Sequence, residues 1–322
     1  MSLSAIPVVA LSEMVADQEA DLFVLMTLKE QLTTRDGKPY FKVGFRDAGR
    51  EVTFPIWGNS PFAVDCRDHW IPGKFYKLRA VYRESNYGPQ LDIRKIREAV
   101  ETDKEDGFDP AMCCASSRFD GDTMFAELTD IAKSRIEDGG LRNLVLFLLE
   151  EHRGVLLEAF AAKRHHHAFT GGLLEHMLSV TRNAIFLADR YADYYVELVP
   201  PLDKGLVIAG AILHDIGKVR ELEAGPAGAE YTTAGQLIGH ILQGRDLVRE
   251  AAREIEIDAD RLLRLEHVII SHQRLPEWGS PKPPMIPEAV LVHYADDIDA
   301  KFHQVVTEVS EAKPFSRVMG YR

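Results

Sequence analysis

Cysteine is scarce in this chain. Its 322 residues include three, Cys66, Cys113 and Cys114. Their spacing provides neither a disulfide framework nor a closed thiolate metal knot, so a reducing, cytoplasmic location is the expectation. Long apolar runs are lacking too. The longest near the middle, Gly205 to Leu213, has nine residues, far short of the roughly 20 that a membrane-spanning helix needs. The first ten residues lack the basic start and apolar stretch of a secretory signal, and no membrane partner is expected. Positive charge is in deficit: 38 Lys and Arg against 50 Asp and Glu leave a net charge of −12. That excludes a protein that coats nucleic acid by charge alone. The deficit is uneven, with 14 basic and 13 acidic residues in the first hundred positions and 24 and 37 in the rest. Any polyanion contact should therefore be local and involve the N-terminal part.

The chain is long enough for two domains, each with its own core, and it has no internal repeat or low-complexity tract. Its first hundred residues read as strands. Asp21–Glu30 is rich in apolar residues, and Asp36-Gly37 is a hairpin signal. Phe41, Val43 and Phe45 alternate with Tyr40, Lys42 and Arg46, and Val52, Phe54 and Ile56 repeat the pattern. Phe75–Arg83 and Gln90–Ile96 complete about five strands, with a small helix near Pro61–Asp68. This predicts an all-β, OB-type barrel over residues 1–101, and an SH3-like barrel fits the count nearly as well. Residues 102–121 are polar and turn-rich and read as a linker. Helical periodicity then takes over, and an all-α domain is expected over 122–313 with a tail at 314–322. Within it Gly205–Val219 is apolar nearly all round, as a central buried helix should be, with Gly217 as its stop. In the last helix, Leu291, Tyr294, Ile298, Phe302 and Val305 are expected to face the core.

Six potential metal ligands, His176, His214, Asp215, His240, His272 and Asp296, lie in or beside these apolar helices. A lone buried histidine is more often a satisfied core residue than a ligand. Six such groups on separate apolar helices would each suffer desolvation unless they shared a partner. Imidazole with carboxylate suits Mn, Fe, Co, Ni or Zn rather than Mg or Ca, and one or two ions are expected, manganese first. Lys218, three residues after Asp215, could stabilise charge in a phosphoryl transition state, or be a cation on a helix C-terminal dipole. The triplet His165-His166-His167 could contact substrate or be a solvated loop, with His166 and His167 favoured because they lie closest to Gly171-Gly172. His267 reads as structural, and His69, His152 and His293 as unremarkable.

The pattern His176, His214-Asp215, Asp296 resembles the HD-domain phosphohydrolases, and His240 and His272 resemble the subset that holds two metals. More specifically, His166-His167-Ala168-Phe169-Thr170-Gly171-Gly172-Leu173-Leu174-Glu175-His176, Ala211-Ile212-Leu213-His214-Asp215-Ile216-Gly217-Lys218, Ile270-Ser271-His272 and Ala295-Asp296-Asp297-Ile298-Asp299-Ala300-Lys301 are similar to segments of the YhaM-type 3′→5′ exoribonucleases. That family also places an OB domain before its HD domain. The resemblance implies catalytic roles for Asp215 and Lys218, substrate contacts by His166, His167, Asp299 and Lys301, and Asp296 rather than Asp297 as the last ligand. Gln273 departs from the second histidine that the family often carries after the residue matching His272.

The expectation is then a metal-dependent phosphodiesterase. The resemblance adds single-stranded RNA, or DNA, as substrate and attack from the 3′ end. Tyr40, Lys42, Lys77 and Arg79 on the barrel's outward strands suit stacked bases and a tracked backbone; a solvated basic face is the plainer reading. Two rivals are an HD-type nucleotidase or dNTP phosphohydrolase and a non-catalytic, metal-containing nucleic-acid-binding protein. The oligomeric state is not legible, and a homo-oligomer is compatible with the sequence.

Overall fold

Five strands and one short helix account for most of the first 98 residues. They are β1 (Glu19–Thr33), β2 (Pro39–Arg46), β3 (Glu51–Trp57), α1 (Ala63–His69), β4 (Phe75–Ser85) and β5 (Gly88–Glu98). The structure, a computed structural model, describes residues 7–34, 36–85, 88–162, 167, 169–225 and 228–309. All neighbouring strands run antiparallel in the order β3-β2-β1-β4-β5. The long β1 thus serves both β2 and β4, with α1 in the β3–β4 connection, which is the strand order of an OB-fold. A register shift between Met26 and Leu28 bends β1 as it passes from one partner to the other. Alternate residues of these strands, among them Leu22, Val24, Val43, Phe45, Val52, Leu78 and Ala80, pack with Trp70 into one core.

The stretch expected as a linker departs from expectation. The chain divides into two compact units near Ala115, and residues 102–115 are part of the first. Its polar composition hides three anchors. Phe108 packs its ring against Phe23 and Phe75, Cys113 is buried, and the Asp103 carboxylate takes Arg97 at 2.5 and 2.7 Å. Burial pushes the thiols of Cys66 and Cys113 up to about 11 and about 12, so neither is a thiolate at neutral pH.

The second unit is helical. It comprises α2 (Gly121–Arg135), α3 (Gly139–Glu151), α4 (Arg153–Glu158), α5 (Gly172–Tyr194), α6 (Lys204–Leu213) and α7 (Lys218–Glu221). The short strands β6 (Leu222–Gly225) and β7 (Gly228–Tyr231) follow, then α8 (Thr233–Ile238), α9 (His240–Ala251), α10 (Ala259–Ser271) and α11 (Pro287–Glu308). Carboxylates of Asp120, Asp138, Asp203 and Asp258 accept from backbone N–H groups in the first turns of α2, α3, α6 and α10, supplying partners those amides lack. Leu206 to Leu213 of α6 are all buried, so this helix is the axis of the unit. Gly210 lets α10 come close: a Cβ there would lie 2.6 Å from Cγ1 of Val268.

Two sequence expectations need correction. Helix α6 ends at Leu213, and Gly217 has right-handed backbone with φ −63° rather than the left-handed turn of a helix stop. It is needed for space, since a Cβ at Gly217 would sit 1.9 Å from the His240 carbonyl oxygen. In α11 Leu291 is buried as expected, but it is joined in the core by Ala289, Val292 and Ala295, whereas Tyr294, Ile298 and Phe302 are exposed. Small residues let α11 approach α5 and α6 closely, and that approach turns the bulkier apolar stripe outward.

Candidate metal centre

Four helix ends bring five of the expected ligands together around Asp215. His176 sits in the first turns of α5, His214 and Asp215 follow α6, His240 opens α9 and His272 follows α10. Asp296 comes from the middle of α11, whose small buried face aims it inward. His176, His214 and His272 have no accessible surface, and Asp215 has 1%.

The Nε2 atoms of His176 and His214 lie 3.3 Å apart. Asp215 Oδ2 is 3.4 Å from the first and 3.5 Å from the second, and Asp296 Oδ1 is 3.2 and 3.8 Å from them. On the other side, Asp215 Oδ1 lies 3.3 Å from His240 Nε2 and 3.5 Å from His272 Nε2. Asp215 thus offers one oxygen to each of two ligand groups.

The opposite ring nitrogens explain why Nε2 points inward. His214 Nδ1 donates to the Ala211 carbonyl at 2.8 Å and His272 Nδ1 to that of Ile269 at 2.7 Å. His176 Nδ1 donates to Asp299 Oδ2 at 2.7 Å and His240 Nδ1 to Glu221 Oε1 at 3.0 Å. A carbonyl or carboxylate only accepts, so each contact places the proton on Nδ1 and leaves the Nε2 lone pair for a metal. The fit to a metal is supported by buried polar atoms: Asp215 Oδ1 and His240 Nε2 lack a hydrogen-bond partner, a costly arrangement unless a cation joins them. All-imidazole nitrogen with carboxylate oxygen is a donor set for a borderline transition ion.

Electrostatics match. Burial holds His214 down to about 4, against the pull of Asp215 and Asp296, so it is neutral at pH 7. Burial also opposes ionisation of Asp215, but Lys218 and His214 beside it hold its carboxyl well below the usual range. His176 goes the other way: burial opposes its charge, and Asp215, Asp296 and Asp299 raise it well above the ordinary value. A cation held by these carboxylates would displace the second proton that they otherwise keep on His176, freeing its Nε2.

The other expected site residues divide. Lys218 is buried, with Nζ 2.6 Å from Asp215 Oδ2. Asp299 lies behind His176 rather than in the open centre, also taking Ser179 Oγ and, at 3.1 Å, His167 Nε2. His167 is buried there with its ring over His303, and with His176 and Asp299 it forms a third potential ligand group. His166 lies outside the described residues. Lys301 pairs with Asp297 at 2.7 Å, while Asp296, one residue earlier on the helix, faces the histidines. On the barrel, the Tyr40 ring lies tilted beside that of Trp57, 5.1 Å between centroids, and Lys42 is exposed. Lys77 and Arg79 are engaged in ion pairs: Lys77 pairs with Asp106 at 2.5 Å and Arg79 with Asp21 at 2.7 and 2.8 Å. The four are not contiguous. Lys42 faces Glu30 of β1 and Lys77 faces Phe23, separated by roughly 23 Å along the strand.

Sequence reasoning missed Glu221, whose position three residues after Lys218 on the same short helix was the available signal. It also passed over His293, which donates from Nδ1 to the His272 carbonyl at 2.7 Å and stands three residues before Asp296. Trp57, half exposed beside Tyr40, was not singled out.

Residues 173–301 match the family model of the HD domain. Among solved structures, the chain is similar to the second OB-fold domain of replication protein A from Methanococcus maripaludis at 11% identity and a TM-score of 0.22. That similarity covers 29% of this chain and 99% of that domain. Residues 173–301 are thus a helical HD domain, and an HD domain implies a metal-dependent phosphohydrolase; the OB-fold likeness of the five-stranded sheet before it rests on its own strand order. Among the described residues no helix is long and apolar enough to cross a membrane.

Proposed function

We propose that the protein is a metal-dependent phosphodiesterase that shortens single-stranded nucleic acid, RNA by preference, from its 3′ end and releases nucleoside 5′-monophosphates. The observation that carries the hydrolytic part is the sharing of Asp215 between two groups of inward-facing Nε2 atoms. His176, His214, Asp215 and Asp296 would hold one ion, and Asp215, His240 and His272 a second. Such ions, manganese first and Co, Fe, Ni or Zn compatible, lower the pKa of water and offset charge on the phosphoryl oxygens. The protein's own part is orientation: backbone carbonyls and the Asp299 and Glu221 carboxylates fix the imidazoles before substrate arrives. Lys218 holds a buried positive charge next to the centre, raised by Asp215 despite its burial, where it can stabilise an anionic transition state.

Substrate class and direction rest on the similarity to YhaM-type exoribonucleases, supported by the OB strand order and the Tyr40–Trp57 ring pair on strands of the kind that bind oligonucleotides. The ion pairs of Lys77 and Arg79 favour a second reading, an HD-type nucleotidase or dNTP phosphohydrolase whose barrel does not track a polyanion. Turnover of a single-stranded oligoribonucleotide is to be compared with that of nucleoside mono- and triphosphates at saturating Mn. The exonuclease reading expects the oligonucleotide to be preferred. Hydrolysis confined to mononucleotides selects the second reading.

A further inference from the structure

His167 is held in an unusual backbone conformation. Its φ of 51° lies in the left-handed region, which residues other than glycine seldom enter and where they carry strain. The chain around it is built to hold that shape. Its carbonyl oxygen accepts from the Phe169 N–H at 2.9 Å and from the Ala161 N–H at 3.2 Å. The same oxygen lies so close to Gly172 that a Cβ there would fall 2.1 Å from it. His167 is 3% exposed, and its ring has those of Phe169, His176 and His303 around it at centroid distances of 5.6, 5.5 and 4.1 Å. So enclosed a ring offers almost no surface to a substrate, the contact that the sequence resemblance implies for it.

What the ring does reach is Asp299. His167 Nε2 lies 3.1 Å from Asp299 Oδ2, and because a carboxylate only accepts, Nε2 carries the proton. That oxygen also accepts from His176 Nδ1 at 2.7 Å, while Oδ1 accepts from the Ser179 hydroxyl. Asp299 is therefore gripped from three sides, by α5 twice and by the segment that precedes α5 once. A carboxylate bonded to His176 alone would keep its torsional freedom, and the imidazole it anchors would share that freedom.

We infer that His167 is a positioning residue of the metal centre: its Nε2–H holds Asp299 in the orientation that fixes the His176 ring for the ion shared with His214, Asp215 and Asp296. This role presupposes the two-ion centre proposed above and extends it by one layer of hydrogen bonds. Partners of this kind set the tautomer and direction of a ligating imidazole and so its affinity for the ion. Strain at His167 is retained because it delivers one N–H to one carboxylate oxygen, as strained backbone does at functional sites. A histidine that only filled space here would need its ring but not that N–H, and the two roles separate on this point.

Calorimetric titration of the metal-free full chain with Mn tests this. His167→Ala and His167→Asn both remove the N–H that reaches Asp299; asparagine tolerates left-handed backbone well but is too short to replace the contact. His167→Gln places an amide nitrogen as many bonds from Cα as the imidazole Nε2, and glutamine has no more liking for this backbone than alanine. The parent should take up two equivalents. In the alanine and asparagine variants the ion lost in His176→Ala and kept in His240→Ala should bind about 10-fold more weakly, with the other unchanged. Glutamine should recover most of the loss. Far-UV circular dichroism selects the folded variants, and asparagine stands in for alanine if alanine does not fold. Folded variants that bind both ions as the parent does overturn the inference, and a raised KM for RNA in that case would make His167 a substrate contact. Glutamine no better than alanine overturns it too, because a space-filling ring gives that result. A parent that takes up no Mn is a different failure, which removes the metal centre itself and this role with it.

Discussion

Replacing Glu221 with alanine removes the carboxylate that accepts both the His240 ring N–H at 3.0 Å and the His240 backbone N–H at 2.9 Å. The ring then loses its fixed tautomer and its rotational anchor, while none of His176, His214, Asp215 and Asp296 is touched. Loss of such an orienting partner lowers metal affinity by roughly 10–100-fold, equivalent to about 1.4–2.7 kcal/mol. Because the effect acts through His240, it should fall on one ion of the two. Calorimetric titration of metal-free protein with Mn should give two equivalents in the parent. In Glu221→Ala the first should be unchanged and the second weakened by that factor, with hydrolysis restored by raising Mn. Equal weakening of both ions, or of neither, would refute the assignment of His240 and His272 to a separate group sharing Asp215.

Gly217→Ala should disrupt the same group sterically. Its Cβ would fall 1.9 Å from the His240 carbonyl oxygen, so the start of α9 must move, at a cost of about 3 kcal/mol in thermal or denaturant unfolding and with loss of the second Mn equivalent. In the first unit, Asp103→Asn should cost about 2 kcal/mol at neutral pH by weakening charge-assisted bonds to Arg97. The Arg97 guanidinium, with the Val100 N–H and Lys77, holds the Asp103 carboxyl below the usual range against its burial. Its stabilisation is therefore full above about pH 4 and is lost as pH falls toward the depressed folded value. Urea unfolding of parent and variant should converge on acidification, and a difference that grows below pH 4 would contradict the ion-pair account. Trp57→Ala and Tyr40→Ala should each weaken single-stranded RNA binding by roughly 1–3 kcal/mol, whereas Arg79→Ala should leave the salt dependence of binding unchanged because Asp21 already occupies the guanidinium. Fluorescence anisotropy at two salt concentrations decides, and a larger effect for Arg79 than for Trp57 would restore the tracked cationic groove.

Strands were legible because their alternation has a period of two, and Phe41, Val43 and Phe45 do face one core. The OB order itself depends on long-range pairing of β1 with β4, which no local pattern encodes. Ligand residues stood out because polar groups on apolar helices are conspicuous, but their arrangement was hidden. That Asp215 faces two groups follows from the close seating of α9 on Gly217, a packing fact. Helix α11 misled because it carries two apolar rows: Tyr294, Ile298 and Phe302 have more bulk than Ala289, Val292 and Ala295, yet the small residues are buried, since only they permit the approach that brings Asp296 to His176. The barrel's cations misled for a different reason. Lys77 and Arg79 read as outward-facing, and the carboxylates that hold them, Asp106 and Asp21, come from distant positions in the sequence.

The most direct test follows a 5′-labelled single-stranded RNA through denaturing gels with the full chain, with and without added Mn, beside Asp215→Ala. The account predicts a Mn-dependent ladder that shortens stepwise from the 3′ end, nucleoside 5′-monophosphate as the released product, and no cleavage by the variant. Cleavage that proceeds undiminished in Asp215→Ala, or a parent loaded with two equivalents of Mn that leaves the RNA intact, would contradict it.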